Sequence, residues 1–393
     1  MRGRMSWLVV LLALTLVGVT AHVVGADPDP ITIGCTLSQS GKYADSGSYY
    51  VEAYQMWEED VNAAGGLLGR PVELIIYDDE SSADKAISLY EKLITVDKVD
   101  LILGPYTSTI VYPVAQLAER YKMVMLQGGG TASNIFEAGF KYMFLTLPGF
   151  SEQHAIDFFE YLRGLPAGEI PSKAAIIYGD KSASIANANG WRALATLMGM
   201  QVVVDEKYPA DATDLSSIIS QAKAAGAGLL MAGTYYPDAV LIARTAAELN
   251  YQPKFIILTA GISSEEYGAD LGELANGVMG TAWWHTTVPF ARDWVDRYEA
   301  EFGRQPDYHS AGGYSSAQVL AQAVEDTGSL DNDVLRDYIA THVFDTVIAQ
   351  GLSFDDRGAP SHSMIVVQWQ DGELEVVLPE DAQTAELIPY AEP

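Results

Sequence analysis

Two short apolar runs in this chain are each followed by a turn rich in glycine and hydroxyl groups. After Leu101 to Leu103 come Gly104-Pro105, then Tyr106, Thr107 and Ser108. After a second run ending at Leu126 come Gly128, Gly129, Gly130 and Thr131. Hydroxyls and backbone N–H groups gathered where strands end and helices begin stabilise an anion without a buried counter-cation. That is binding chemistry, and the signatures of catalysis do not accompany it. The sequence has no G-x-S-x-G elbow, no Walker loop and no H-E-x-x-H. Its histidines, His22, His154, His285, His309, His342 and His362, are scattered without metal-ligand spacing. No catalytic residue, metal site or cofactor is therefore expected. The Gly128–Gly130 run lacks the later glycine and the lysine of a phosphate loop. Asp78-Asp79-Glu80 reads as a solvated turn ahead of a helix N-terminus rather than a calcium site. Ser108 has a plainer role open to it as a helix cap, which is compatible with ligand contact.

The elements that must position these turns alternate between strand and helix patterns. Tyr50, Ala53, Tyr54, Trp57, Val61 and Ala64 fall on one face of a helix that ends at Gly65-Gly66, where a left-handed cap costs glycine least. Val72 to Tyr77 is an apolar run of strand length. Ser81, Ser82 and Asp84 can cap the next helix, with Ala86, Leu89, Leu93 and Ile94 on its buried face, and Leu101 to Leu103 is the strand after it. A strand, a helix and a strand in this order make a parallel sheet, with binding expected beyond the strand C-termini. The alternation continues to a last predicted strand at Met364 to Trp369 and an acidic tail.

The same residues carry a resemblance. ITIGCTLSQSGKYADSG, DVNAAGG, GRPVELIIYDD and, far downstream, FDTVIAQGLSFDDRGAP occur in the order found in the leucine/isoleucine/valine-binding family. These are type I periplasmic binding proteins that deliver ligands to ABC importers. The resemblance spans about Ile31 to Trp369. It implies an α/β fold of two doubly wound parallel-sheet lobes joined by three crossover strands. The first lobe would be residues 31–147 plus 283–353 and the second 148–280 plus 358–390, with crossings near 147, 281 and 355. It also implies the site. Ser108 and Thr131 match the family's serine and threonine that hold the ligand carboxylate, with Tyr106 and Thr107 flanking the first turn. Gly129, with Gly130 beside it, falls where the family offers a carbonyl to the ligand amine. Tyr235 matches a second-lobe tyrosine that faces the cleft. Tyr314 matches another placed near the cleft, with core packing as its alternative. Trp283, Trp284 and His285 sit at a crossing, as hinge packing or as cleft wall.

Three positions depart from the family pattern. Ala260 stands where amino-acid binders carry an acid that pairs with the ligand ammonium, and Glu265 or Glu266 substitutes only if the loop shifts. Ser184 stands where the family often has a tyrosine, and Ser46 where its first cleft turn often has an aromatic residue. Burying an ammonium without a carboxylate is costly, so amides and organic acids compete with branched-chain amino acids as ligands.

Composition agrees with these readings. A chain of 393 residues is too long for a single core. Lys and Arg number 23 against 52 Asp and Glu, a formal charge of −29. No nucleic-acid partner is expected of such a surface. Arg2, Arg4 and the apolar stretch Trp7 to Val19 read as a signal peptide over residues 1–26, with cleavage after Ala26, or else after Ala21 or as an uncleaved anchor, and an exported, periplasmic or extracellular location. Cys35 reads as a small buried hydrophobe. The expected function is solute binding for an ABC importer, with a small-molecule ligand, a membrane permease as partner and a monomeric state. A ligand sensor of the same fold and an exported hydrolase are the alternatives.

Overall fold

The computed structural model describes residues 29–361, 364–380 and 382–391. The expected signal peptide lies outside them. The chain opens β1 (Ile31–Leu37), α1 (Ala44–Ala63), β2 (Val72–Asp78), α2 (Ala83–Lys92), β3 (Leu101–Leu103), α3 (Ser108–Tyr121), β4 (Met125–Gln127), α4 (Ser133–Glu137) and β5 (Met143–Leu145). These strands form a parallel sheet in the order β2-β1-β3-β4-β5. Next come α5 (Ile156–Gly164), β6 (Lys173–Gly179), α6 (Ser182–Leu197), β7 (Gln201–Tyr208), α7 (Ser216–Ala225), β8 (Leu229–Gly233), α8 (Tyr236–Glu248), β9 (Phe255–Leu258), α9 (Glu265–Leu271) and β10 (Met279–Ala282). The helices α10 (Arg292–Phe302), α11 (Tyr308–Thr327) and α12 (Asn332–Ile339) follow, then β11 (Ile365–Gln370) and β12 (Glu373–Leu378).

The second sheet has seven strands in the order β12-β11-β10-β9-β8-β6-β7. Strands β6 to β10 are parallel, whereas β10–β11 and β11–β12 are antiparallel. Two purely parallel sheets were expected, so this edge is a difference. Its cause was visible as Asp371-Gly372, both at positive φ, a two-residue hairpin turn between alternating strands. The supposed acidic tail therefore begins with β12.

Each sheet with its helices makes one lobe around its own apolar core. The first core draws on residues from Ile31 to Leu147 and again from Trp283 to Met364. The second lobe is packed on both faces of its sheet by residues between Ala155 and Leu378. Cys35 is fully buried in β1, and burial pushes its thiol pKa up.

Two details position the turns at the strand ends. Tyr50 and Tyr54, on the predicted apolar face of α1, donate their hydroxyls to the carbonyls of Gly128 and Gly104. Gly128 lies so close to α11 that a Cβ would sit 2.7 Å from the Gly312 carbonyl carbon. The Asp78-Asp79-Glu80 turn is the solvated turn expected at Glu80, which is exposed, but not at Asp79. Asp79 is fully buried and accepts from the hydroxyls of Thr36 and Ser38 at 2.9 and 2.6 Å. Asp78 accepts from the Ser40 hydroxyl at 2.7 Å, so the two acids fasten the loop after β1 to the loop after β2.

Candidate functional site

The first-lobe turns meet where the sequence places them. Thr107 is the N-cap of α3, with its hydroxyl 3.0 Å from that of Thr109 rather than on a helix N–H. Ser108 Oγ accepts from the N–H groups of Thr131 and Ala132 at 3.1 and 3.2 Å. Thr131 Oγ1 lies 3.1 Å from Ser151 Oγ, and the Ser151 carbonyl accepts from Asn187 Nδ2 of α6 at 2.8 Å. A continuous hydrogen-bonded line thus runs from α3 of the first lobe to α6 of the second.

Gln127 organises the triple-glycine turn. Fully buried, it accepts on Oε1 from the N–H groups of Gly129 and Gly130 at 2.8 and 2.5 Å and donates Nε2 to the Gly130 carbonyl at 3.0 Å. The N–H groups from Gly129 to Ala132 are therefore engaged inside the protein. The donors left to a ligand are the hydroxyl protons of Ser108 and Thr131 and the first-turn N–H groups of α3. The sequence offered no sign of Gln127, because a lone glutamine at a strand end has many ordinary explanations.

A wall of aromatic rings stands beside these turns. The ring of Tyr106 meets His309 edge-on at 4.9 Å, Tyr50 at 5.6 Å and Tyr43 at 5.9 Å. Ser46 and Tyr308 lie beside its hydroxyl, and burial pushes its pKa up to about 12. Ser46 is thus brought to the cluster, at the start of α1. His309 Nδ1 lies 2.6 Å from the Asp307 carboxylate that caps α11, which holds this ring in place. Tyr43, Tyr308 and His309 were not singled out from the sequence. Only tyrosine clustering around residues 43–54 and 308–314 hinted at them.

The second lobe presents its own strand ends. Tyr235 is the N-cap of α8, and its backbone N–H points at Asp238 Oδ2 at 3.3 Å. Burial raises its phenol pKa, and the phenols of Tyr106 and Tyr43 of the first lobe add to the shift. Lys181 Nζ lies 4.2 Å from the centre of the Tyr235 ring. Ala260 follows β9, and its carbonyl accepts from Thr234 Oγ1 at 3.0 Å. Exposed Glu266, one of the two acids considered as substitutes, acts electrostatically on Tyr49 of the first lobe and on Tyr236. Ser184 is buried in the first turn of α6.

Tyr314 is not brought to this cluster. Its hydroxyl donates to Asp60 near the far end of α1, beside Arg297, and its ring packs on Trp294 at 5.3 Å. It is a seam residue between α1, α10 and α11. Both tryptophans expected at a crossing are buried and tied to neighbouring segments. Trp283 Nε1 donates to the Gly149 carbonyl at 3.2 Å, and Trp284 Nε1 to that of Val347 at 2.8 Å. His154 bonds Thr281 and meets Trp283 edge-on at 4.9 Å.

Polar turns at the C-terminal ends of two facing sheets, with a hinge between them, match a known architecture. The profile of the family described as periplasmic binding protein matches residues 30–373. The chain belongs to that family. This binding protein is 26% identical over 394 residues to Leu/Ile/Val-binding protein homolog 7 of Brucella suis biovar 1 (strain 1330), covering 96% of this chain and 98% of the relative. It is 28% identical over 374 residues to Leu/Ile/Val-binding protein homolog 8 of Brucella abortus (strain 2308), covering 91% and 92%. Its fold is similar to that of a putative branched-chain amino acid ABC transporter protein from Silicibacter pomeroyi, with a TM-score of 0.83, 19% identity and coverage of 92% and 100%. The LivJ substrate-binding protein of Streptococcus pneumoniae, solved with isoleucine, gives 0.76, 23%, 89% and 100%. Family and fold are those of solute-binding proteins. Among the described residues no group of acids, histidines and cysteine is arranged to hold a metal.

Proposed function

We propose that this binding protein captures a small solute outside the cytoplasm and hands it to the membrane permease of an ABC importer, acting as a monomer whose second lobe closes over the ligand. Ser108, Thr131 and the start of α3 take the ligand's carboxylate or an equivalent polar group, with Tyr106, Thr107 and Ser46 beside them. Tyr235 closes from the other side. The observation that supports this reading best is the line of buried hydroxyls from Ser108 through Thr131 to Ser151, ending on α6.

Ligand choice follows from Ala260. An amino acid brings an ammonium into the cleft, and a buried ammonium without a carboxylate costs several kcal/mol, in the range of about 3–5. Glu266 is exposed, so it is not a buried partner for an ammonium in the cleft. The ligand is therefore an amide or an organic acid without a free α-ammonium. A thermal-shift screen over amino acids, amides and organic acids tests the proposal. A ligand at about a hundred times its Kd adds about 2.7 kcal/mol of stability, which a melting curve reads easily. Acids or amides are expected to raise the melting temperature, and a panel in which only α-amino acids do so overturns the assignment.

A further inference from the structure

We propose that the ligand carries a second anionic group, and that the second lobe binds it at the start of α6 with Lys181 and Ser184. The inference rests on the solute-binding reading above and deepens it to a substrate class, that of dicarboxylates and related dianions.

Three observations meet at this place. First, α6 begins without a side-chain cap, since its N-cap residue is Lys181, whose side chain cannot accept a hydrogen bond. Its first backbone bond inside the turn is Ile185 N–H to the Lys181 carbonyl at 2.9 Å, which leaves the N–H groups of Ser182, Ala183 and Ser184 pointing out of the helix. Second, Ser184 has 1% of its surface exposed and its Oγ has no hydrogen-bond partner. Several other serine and threonine hydroxyls on helices find a partner in their own helix. Those of Ser88, Thr196 and Ser316 donate to the carbonyl four residues back, at 3.0, 2.7 and 2.8 Å. A buried hydroxyl without a partner is costly, about 1–3 kcal/mol, and is uncommon outside binding sites. Ser184 sits against Gly233, where β8 ends and the turn to Tyr235 begins, so the orphan hydroxyl is at the cleft end of the second sheet. Third, Lys181 Nζ stands over the Tyr235 ring and makes a loose ion pair with Asp238 at 3.7 Å. Asp238 also accepts from the Tyr235 N–H, and a lysine ammonium has three protons to donate, so Lys181 retains donors for an anion.

Geometry joins this place to the first-lobe anchor. Helix α6 touches α3 of the first lobe, and α3 likewise starts without a side-chain cap at Thr107. Two uncapped helix starts that face one cleft favour negative charge at both ends of what lies between them. A chain with 52 acidic and 23 basic residues has few cations to place, and one of them stands at this cleft.

Calorimetry of the purified protein with two matched pairs, hexanoate against adipate and benzoate against terephthalate, tests the inference. In at least one pair the diacid is expected to bind about tenfold or more tightly than the monoacid, the size of a charge-assisted pair. Lys181→Ala and Ser184→Ala are each expected to bring that ratio to within about twofold, and Lys181→Arg to restore most of it. Both acids are measured on each variant, so general damage to the fold weakens both and leaves the ratio in place. Monoacids that bind as tightly as their diacids overturn the second-lobe anion site and leave the first-lobe anchor standing. A wild-type protein that binds none of the four acids, yet binds leucine, overturns both.

Discussion

The hydroxyl of Ser108 accepts from two backbone N–H groups and keeps its proton to donate, so one atom fixes the turn and meets the ligand. This dual role changes what a substitution does. From the sequence, removing Ser108 would touch binding alone. In the structure, Ser108→Ala also leaves the N–H groups of Thr131 and Ala132 without their acceptor, each such loss costing about 1–3 kcal/mol when the group stays buried. Thr131→Ala loses only a hydroxyl contact to Ser151. Both variants are expected to weaken ligand binding by about 1–3 kcal/mol, but only Ser108→Ala should also lower the denaturant midpoint markedly. Calorimetry and urea unfolding run on the same two proteins separate the effects, and equal midpoints for the two variants would contradict the bonding described. Residues of this kind were half legible. Ser108 and Thr131 announce themselves by type and place, whereas Gln127, which holds the glycine turn from beneath, has no local signature.

At the scale of elements, periodicity reported most of the chain because each helix and parallel strand buries a face that its sequence must match. The apolar face of α1 was read from Tyr50, Ala53, Tyr54, Trp57, Val61 and Ala64; the first four are buried, Val61 is half-buried, and Ala64 is exposed just past the helix end. What was missed has a local reason. β5 is only Met143–Leu145 and α4 only Ser133–Glu137, too short for a period to show, and β12 was hidden under its acidic neighbours although Asp371-Gly372 marked the turn. Tyr314 was drawn toward the cleft by resemblance, while its own surroundings on α11 bind it to Asp60. The crossing elements carry a prediction of their own. His154 is buried against Trp283 and Thr281, and burial lowers its pKa from 6.5 to about 3. A histidine held neutral when folded takes up its proton on unfolding. Its contribution is therefore full above about pH 6.5 and is lost as the pH falls toward 3, at about 1.4 kcal/mol per unit. Against the wild type, His154→Asn should flatten the fall of stability between pH 6.5 and 4, as read by urea titration at each pH. Identical pH slopes would show that His154 is not the group responsible.

For the whole molecule, the proposed function rests on the relation between two sheets, each with its own core. Hinge motion of two such bodies is expected to be set by ligand, since closure places Tyr235 over the Ser108 turn. Small-angle scattering should give a smaller radius of gyration at saturating ligand than in its absence, and an unchanged profile would count against closure. The high negative charge keeps the protein soluble and repels anionic surfaces, but it does not choose the ligand. We assign that choice to the cleft, where Ala260 stands at the position matched to an acid in amino-acid binders and Lys181 stands over the Tyr235 ring. The most direct measurement is therefore calorimetric competition between leucine and 4-methylpentanoate, which share a side chain and differ in the ammonium group. The account predicts that 4-methylpentanoate binds more tightly, and leucine binding more tightly than its deaminated analogue would contradict it.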